Sequence, residues 1–209
     1  MDALRIAGLL APFLEEESLP AEQLAQLFTY LDLLLRWNQR INLTAVCDPE
    51  AIVTRHFGES IFAARHLLAD DVAVDVADLG SGAGFPGLPL KMVRPHVRLS
   101  LIESQTKKAA FLSEAIRALK LAEVRVVNAR AQAIEDRFDL VTLRAVERFA
   151  EVLPVAAQLL RPAGRLGLLI SSAQIGETGR LLPDFAWDPP LAIPQSNARV
   201  LLAGHRMSI

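Results

Sequence analysis

Thiols are almost missing from this chain. Cys47 is the single cysteine among 209 residues, which excludes an intramolecular disulfide and a cysteine-rich zinc site. Long apolar runs are missing too. Stretches such as residues 166–170 have the length of a strand, and no segment reaches the roughly 20 apolar residues of a membrane-spanning helix. Nor is there an excess of positive charge. The formal net charge is −2, so the chain as a whole offers no bulk attraction to nucleic acid, which usually favours strongly basic domains. The amino terminus, MDALRIAGLLAPFLEEE, shows helical periodicity and an acidic end in place of the basic, apolar and small-residue regions of a signal peptide, so a cytoplasmic protein is expected. No linker, internal repeat or low-complexity tract interrupts the sequence. Its 52% hydrophobic and 22% charged content is that of an ordered globular chain, and its length suits a single domain.

The strongest local signal is the run Ala77-Asp-Leu-Gly-Ser-Gly-Ala-Gly-Phe-Pro-Gly87. Val74, Val76 and Leu79 read as an apolar strand. Gly80, Gly82 and Gly84, with Ser81 and Phe85 in the same loop, then allow a turn of positive φ and a close approach of backbone to ligand. Asp78 precedes the first glycine by two residues. A carboxylate there suits a cationic ligand, and S-adenosylmethionine carries both an ammonium and a sulfonium. Gly82-x-Gly84-x-x-Gly87 also satisfies the dinucleotide fingerprint, so a dinucleotide and a purely structural turn stay open beside the favoured S-adenosylmethionine. Pro89 argues against a long helix beginning directly after Gly82.

Helices come first and strands afterwards. Leu24, Leu27, Tyr30, Leu31, Leu34 and Leu35 recur at helical spacing, and residues 52–68 read as another helical region interrupted near Gly58. Residues 1–70 are thus expected to form a helical cap, and residues 71–209 a core of the same domain. In that core, strands are expected at 74–79, 97–102, 124–127, 139–143 and 165–170. Helices are expected at 88–93, 107–119 and 150–160. Such alternation predicts an α/β fold with a mostly parallel sheet and helices on both faces. The tail from Leu181 reads as a proline-rich loop followed by short strands that close the sheet edge.

In such a sheet a ligand lies at the carboxyl ends of the strands. Glu103 ends the second strand about 20 residues past the glycine loop, where a carboxylate can accept both hydroxyls of a ribose. Ala131 and Gln132, in the segment from Asn128 after the third strand, can offer a backbone N–H or an amide to an adenine edge. Arg144 follows the fourth strand, in place for a cofactor carboxylate or a substrate phosphate. Arg36, Arg40 and Arg55 add a local basic cluster to the amino-terminal part, interspersed with acids.

Five blocks then occur in order: Leu35-Arg-Trp-Asn-Gln-Arg-Ile-Asn-Leu-Thr-Ala45, Arg55-His-Phe-Gly-Glu-Ser60, the loop from Asp78 to Leu90, Lys107-Lys108 with Phe111-Leu112, and Leu143-Arg-Ala145. Together they resemble the bacterial ribosomal RNA small-subunit methyltransferase G family, also called glucose-inhibited division protein B. The resemblance spans about residues 31–170. It implies a Rossmann-like S-adenosylmethionine-dependent methyltransferase with an amino-terminal helical extension, acting on N7 of one guanine of 16S ribosomal RNA. The RNA itself or the small ribosomal subunit is the implied partner. A monomer without membrane attachment is expected. Carried over by motif, the cofactor positions are Gly80, Phe85, Ala131, Gln132 and Arg144. The chain departs from the family pattern where Glu59 replaces an Asp, Gln132 a Glu, and Ser171-Ser172 a Lys-Gly. Methylation of guanine N7 needs alignment more than a base, because the nitrogen already carries an in-plane lone pair. No catalytic side chain is therefore expected beyond Arg144 as an orienting group, and no metal. Cys47 lies outside the loops where a pyrimidine-C5 nucleophile would have to stand.

Overall fold

The computed structural model describes residues 1–15, 17–146 and 148–207. Five parallel strands form the centre of the fold: β1 (Asp75–Leu79), β2 (Arg98–Ile102), β3 (Val124–Val127), β4 (Phe138–Arg144) and β5 (Leu160–Ser171). Val76 to Leu79 and Leu99 to Ile102 are buried without a break, as expected of strands covered on both faces. With β6 (Phe185–Trp187), β7 (Leu191–Ala192) and β8 (Arg199–Arg206), the order among the described residues is β3-β2-β1-β4-β5-β8-β6, and β7 also pairs with β8. β8 runs antiparallel to β5, in a register that sets Arg199 beside Ser171. The chain order reverses between β1 and β4, so the glycine loop leaves β1 at the switch point of the sheet.

The mostly parallel α/β expectation holds, with differences at the ends of elements. β5 begins at Leu160, five residues earlier than apolar content suggests, because Phe138 of β4 pairs with Leu160 before a register shift. The tail is also more regular than a loop with short strands. After helix α8 (Ile175–Leu181), β8 is an eight-residue strand held between β5 and β6, with Leu201 to Gly204 buried as a central position provides.

Helices α1 (Ala3–Leu14), α2 (Ala21–Asn38), α3 (Pro49–Ile52) and α4 (Glu59–Leu67) form the cap. Asp2 accepts from Arg5 N–H and Asp48 from Ala51 N–H, starting α1 and α3 by ordinary side-chain capping. The expected interruption near Gly58 is a widening, not a break: Val53–Gly58 is a π-helical segment joining α3 to α4. Gly58 is required by packing, since a Cβ there would lie 2.5 Å from the Phe13 ring. One apolar cluster runs from Ile6, Phe13, Leu27, Leu34 and Ile61 of the cap into Val76, Leu101 and Phe111 of the sheet side. The cap therefore covers one face of the sheet. Helix α7 (Phe149–Gln158) covers the other, where Leu153 joins Ala77, Leu79, Val141 and Leu168. Short α5 (Gly87–Val93) and longer α6 (Thr106–Ala118) complete the crossovers.

Candidate active site

The glycine loop is anchored from below and open above. Gly80 and Ser81 N–H both donate to the Ile102 carbonyl, at 2.9 and 3.1 Å, which ties the end of β1 to β2. Gly80, Gly82 and Gly84 all have positive φ, at 72°, 56° and 89°. A Cβ on Gly82 would meet only the Gly80 carbonyl at 3.7 Å, and one on Gly80 only Val146 at 3.6 Å. A Cβ on Gly84 would instead strike Leu88 at 2.5 Å and the Tyr30 hydroxyl at 2.8 Å. The first two glycines leave space for a ligand, whereas the third makes room for the protein itself.

Asp78 does not face that space. Its fully buried carboxylate accepts Gly87 N–H at 3.1 Å and the Thr142 hydroxyl at 3.1 Å, so it closes the loop from beneath. Burial pushes its pKa up to about 6 against the opposing pull of these hydrogen bonds. The expectation that Asp78 meets a cationic ligand is corrected by this placement. Ser81 is turned inward as well, its hydroxyl donating to the Asp78 carbonyl at 2.7 Å.

Glu103 closes the other side of the open space. One carboxylate oxygen accepts Gly82 N–H at 3.0 Å and the other accepts Gln105 N–H at 2.7 Å. Each oxygen keeps a second lone pair, which is the acceptor pattern that two vicinal ribose hydroxyls require. Asn128, after β3, spends its amide N–H on the Glu103 carbonyl at 2.8 Å and so braces this acid. Ala131 and Gln132 follow in a short 3₁₀ turn, the former half-buried and the latter exposed.

Arg144 sits at the end of β4 in a cluster supplied by the cap. Its Nη2 donates to the Arg55 carbonyl at 2.6 Å, to His56 Nδ1 at 2.8 Å and to Glu59 Oε2 at 3.2 Å. Its guanidinium lies 5.6 Å from the centre of the Phe85 ring. Phe85 is itself buried, stacked on His56 at 4.7 Å and near Tyr30 and Phe57. Glu59, 1% exposed, is also paired with Arg199 from β8. One buried carboxylate thus holds two guanidiniums, leaving the cluster with a net positive charge. Burial first, and Arg144 next, push the His56 pKa down to about 3, so the imidazole is neutral at physiological pH.

The structure brings Gly80, Gly82 and Glu103 together on one rim and places Arg144 on the adjoining strand. It gives Ser81, Gly84 and the Phe85 ring packing positions around that rim. Sequence reading missed Tyr30, His56 and Thr142. Tyr30 carries a usable signal, for it is the sole tyrosine and lies on the apolar face of a helix, where its hydroxyl must find a partner. That partner is the Ala83 carbonyl in the glycine loop. Cys47 is exposed in the connection before α3. No cluster of metal-ligating side chains occurs among the described residues.

An open glycine loop at the switch point of a parallel sheet, with a ribose-type carboxylate on the next strand and an antiparallel strand beside β5, defines a Rossmann-like methyltransferase of the S-adenosylmethionine-dependent class. Solved structures of that architecture align with it. The ribosomal protein L11 methylase of Lactobacillus delbrueckii subsp. bulgaricus covers 74% of this chain and 80% of its own at TM-score 0.62 and 14% identity. TYW2 of M. jannaschii, in complex with AdoMet, covers 73% and 76% at TM-score 0.58 and 16% identity. At such identities the likeness concerns the fold. Within this class the chain belongs to the rRNA small subunit methyltransferase G (GidB) family, whose model matches residues 23–178. It is 43% identical over 163 residues to the ribosomal RNA small subunit methyltransferase G of Xanthomonas campestris pv. campestris (strain B100), covering 77% of this chain and 75% of that protein. The protein of the same name from Stenotrophomonas maltophilia (strain K279a) is 42% identical over the same shares.

Proposed function

We propose that this protein transfers a methyl group from S-adenosylmethionine to N7 of one guanine in 16S ribosomal RNA. The observation that carries the reading is the rim formed by Gly80, Gly82 and Glu103 beside the Arg144 cluster, in a chain of the rRNA small subunit methyltransferase G family. The rim fits the cofactor: side chains are absent where its backbone lies open, and Glu103 has two free lone-pair sites for the ribose. When bound, S-adenosylmethionine supplies an electrophilic methyl on a sulfonium. Gly80 and Gly82 admit its amino-acid end, Glu103 holds the ribose, and the turn at Ala131 and Gln132 borders the adenine. Arg144 stands on the strand next to the loop and orients the guanine or the cofactor carboxylate.

No residue of the chain needs to remove a proton, because guanine N7 is unprotonated at neutral pH. Alignment and exclusion of water are the tasks left to the protein. Arg40 and Arg55, exposed and without a carboxylate partner among the described ion pairs, provide phosphate contacts on the cap side. The protein works as a cytoplasmic monomer, the cap and sheet acting as one catalytic unit. Among the described residues no helix is long and apolar enough to cross a membrane.

The test is transfer of a labelled methyl from S-adenosylmethionine to small subunits and to naked 16S RNA, both taken from a strain lacking this gene. Chemical cleavage at N7-methylguanine is expected to give one site. Label in protein, or in a base atom other than guanine N7, overturns the reading.

A further inference from the structure

His56 is a buried side chain with two polar partners, and the reaction itself makes no use of it. Arginine only donates, so the 2.8 Å contact makes His56 Nδ1 the acceptor of Arg144 Nη2. The ring proton then resides on Nε2, which donates to Thr44 Oγ1 at 2.7 Å. Thr44 belongs to a connection that Asn38 fastens at three points. Asn38 Oδ1 accepts Leu43 N–H at 2.9 Å and Thr44 N–H at 3.0 Å, and its Nδ2 donates to the Thr44 carbonyl at 3.0 Å. Arg40, Asn42 and Ala45 of that connection are exposed, on the cap segment that leads into His56. The imidazole also stacks on Phe85 of the glycine loop. A continuous polar path therefore runs from an exposed cap loop to the arginine at the end of β4.

We infer that His56 is a positioning residue for methyl transfer, a neutral acceptor that aims Arg144 and ties that aim to the Thr44 loop on the RNA-facing cap. The inference rests on Arg144 acting at the proposed site. A protonated imidazole would present a donor to a donor and repel the guanidinium, so only the neutral ring can serve. The low pKa of His56 keeps it in that state at physiological pH. The same Arg144 Nη2 also donates to the Arg55 carbonyl at 2.6 Å and to Glu59 Oε2 at 3.2 Å, and the in-plane lone pair of His56 Nδ1 adds the one point of hold that leads back to the Thr44 loop.

The experiment uses the full chain, 16S RNA as methyl acceptor, and three substitutions. His56→Phe keeps the ring stacked on Phe85 and removes both hydrogen bonds. It is expected to lower kcat, measured at saturating S-adenosylmethionine, by on the order of 10- to 100-fold, the cost of misplacing a reacting partner. His56→Asn, whose amide oxygen takes the place of Nδ1, is expected to restore kcat to within about threefold of the parent. In an Arg144→Ala background, His56→Phe is expected to cause no further loss, since there is no guanidinium left to aim. An undiminished loss in that background, or failure of His56→Asn to recover activity while it still binds cofactor normally, overturns the inference. If the parent protein methylates no RNA, the functional reading fails first, which the parent reaction reports by itself.

Discussion

Gly82 and Gly84 stand two residues apart in one loop, and giving each a side chain should do different damage. Both have positive φ, so alanine at either position carries about 1–2 kcal/mol of backbone strain. At Gly82 nothing else opposes the methyl, so Gly82→Ala is expected to fold with a modest loss of stability while S-adenosylmethionine affinity collapses. At Gly84 the methyl meets Leu88 and the Tyr30 hydroxyl, adding about 1–3 kcal/mol of overpacking. Urea unfolding and calorimetry on the two variants check this, and equal losses of stability would contradict it. Glu103→Ala is expected to weaken the cofactor by about 1–3 kcal/mol, as charge-assisted hydroxyl contacts are lost. Unchanged affinity in calorimetry would remove Glu103 from the site. The positive-φ turn of the loop and the strand-end place of Glu103 were legible in the sequence because glycine and a strand-end acid announce themselves locally. Asp78 was misread because β1 is covered on both faces, and its sequence alone does not say which face lies beneath the cap. Ala77 and Leu79 enter one core cluster and Val76 the other, so Asp78 must share the face of Val76, beneath the cap, and not the rim.

Helix α2 was legible as an amphipathic element from its leucine stripe, but the stripe does not say what it packs against. The structure supplies the partner: Tyr30 reaches across 53 residues of sequence to the Ala83 carbonyl, among the rings of Phe57, Phe85 and Phe111. Burial raises the Tyr30 pKa well above its ordinary value, so the phenol remains a donor. The cap is accordingly a strut for the cofactor loop as well as a cover for the sheet. Tyr30→Phe keeps the rings in place and removes one hydroxyl, leaving the Ala83 carbonyl buried without its donor. A stability loss of about 1–3 kcal/mol in urea unfolding is expected, with weaker cofactor binding because the loop is less well held. A variant with parental stability and affinity would mean that the strut is not needed. The π-helical segment before α4 was read as an interruption because Gly58 weakens any helical pattern. Only the ring of Phe13, 45 residues away in the chain, explains why a glycine stands inside a continuous helix.

At the scale of the whole molecule, a net charge of −2 leaves RNA binding to local fields. Reversing Arg36, Arg40 and Arg55 together should weaken RNA binding and flatten its salt dependence, with cofactor affinity nearly constant. Arg36 already pairs with Asp32 at 2.9 Å, so Arg40 and Arg55 should carry most of the effect. Filter binding across a salt series checks this, and an unaltered slope would place the docking surface elsewhere. Two buried groups also set opposing pH dependences of global stability. Asp78 titrates near 6 in the folded protein against an ordinary 3.8, so its contribution favours the fold at low pH and is lost as pH rises through about 6. His56 titrates near 3 against 6.5, so its contribution is present above about pH 6.5 and is lost as pH falls towards 3. Between about pH 4 and 6 the folded protein holds a proton on Asp78 that the unfolded chain has released. The unfolded chain holds one on His56 that the fold excludes. Each effect has a slope of about 1.4 kcal/mol per pH unit, and the two have opposite sign, so together they nearly cancel. Asp78→Asn removes the first alone. Its amide oxygen can accept Gly87 N–H, and its amide N–H can donate to Thr142, whose hydroxyl remains free to donate to the Ala77 carbonyl. The variant should therefore gain stability relative to the parent as pH rises, by roughly 2 kcal/mol from pH 4 to 6, since each end of that window lies close to one of the two pKa values. Groups common to both proteins drop out of that difference. Urea unfolding of both at about pH 4.5, 5.5 and 6.5 reads it directly, and a difference that stays constant across the window would mean that Asp78 keeps its charge beneath the loop.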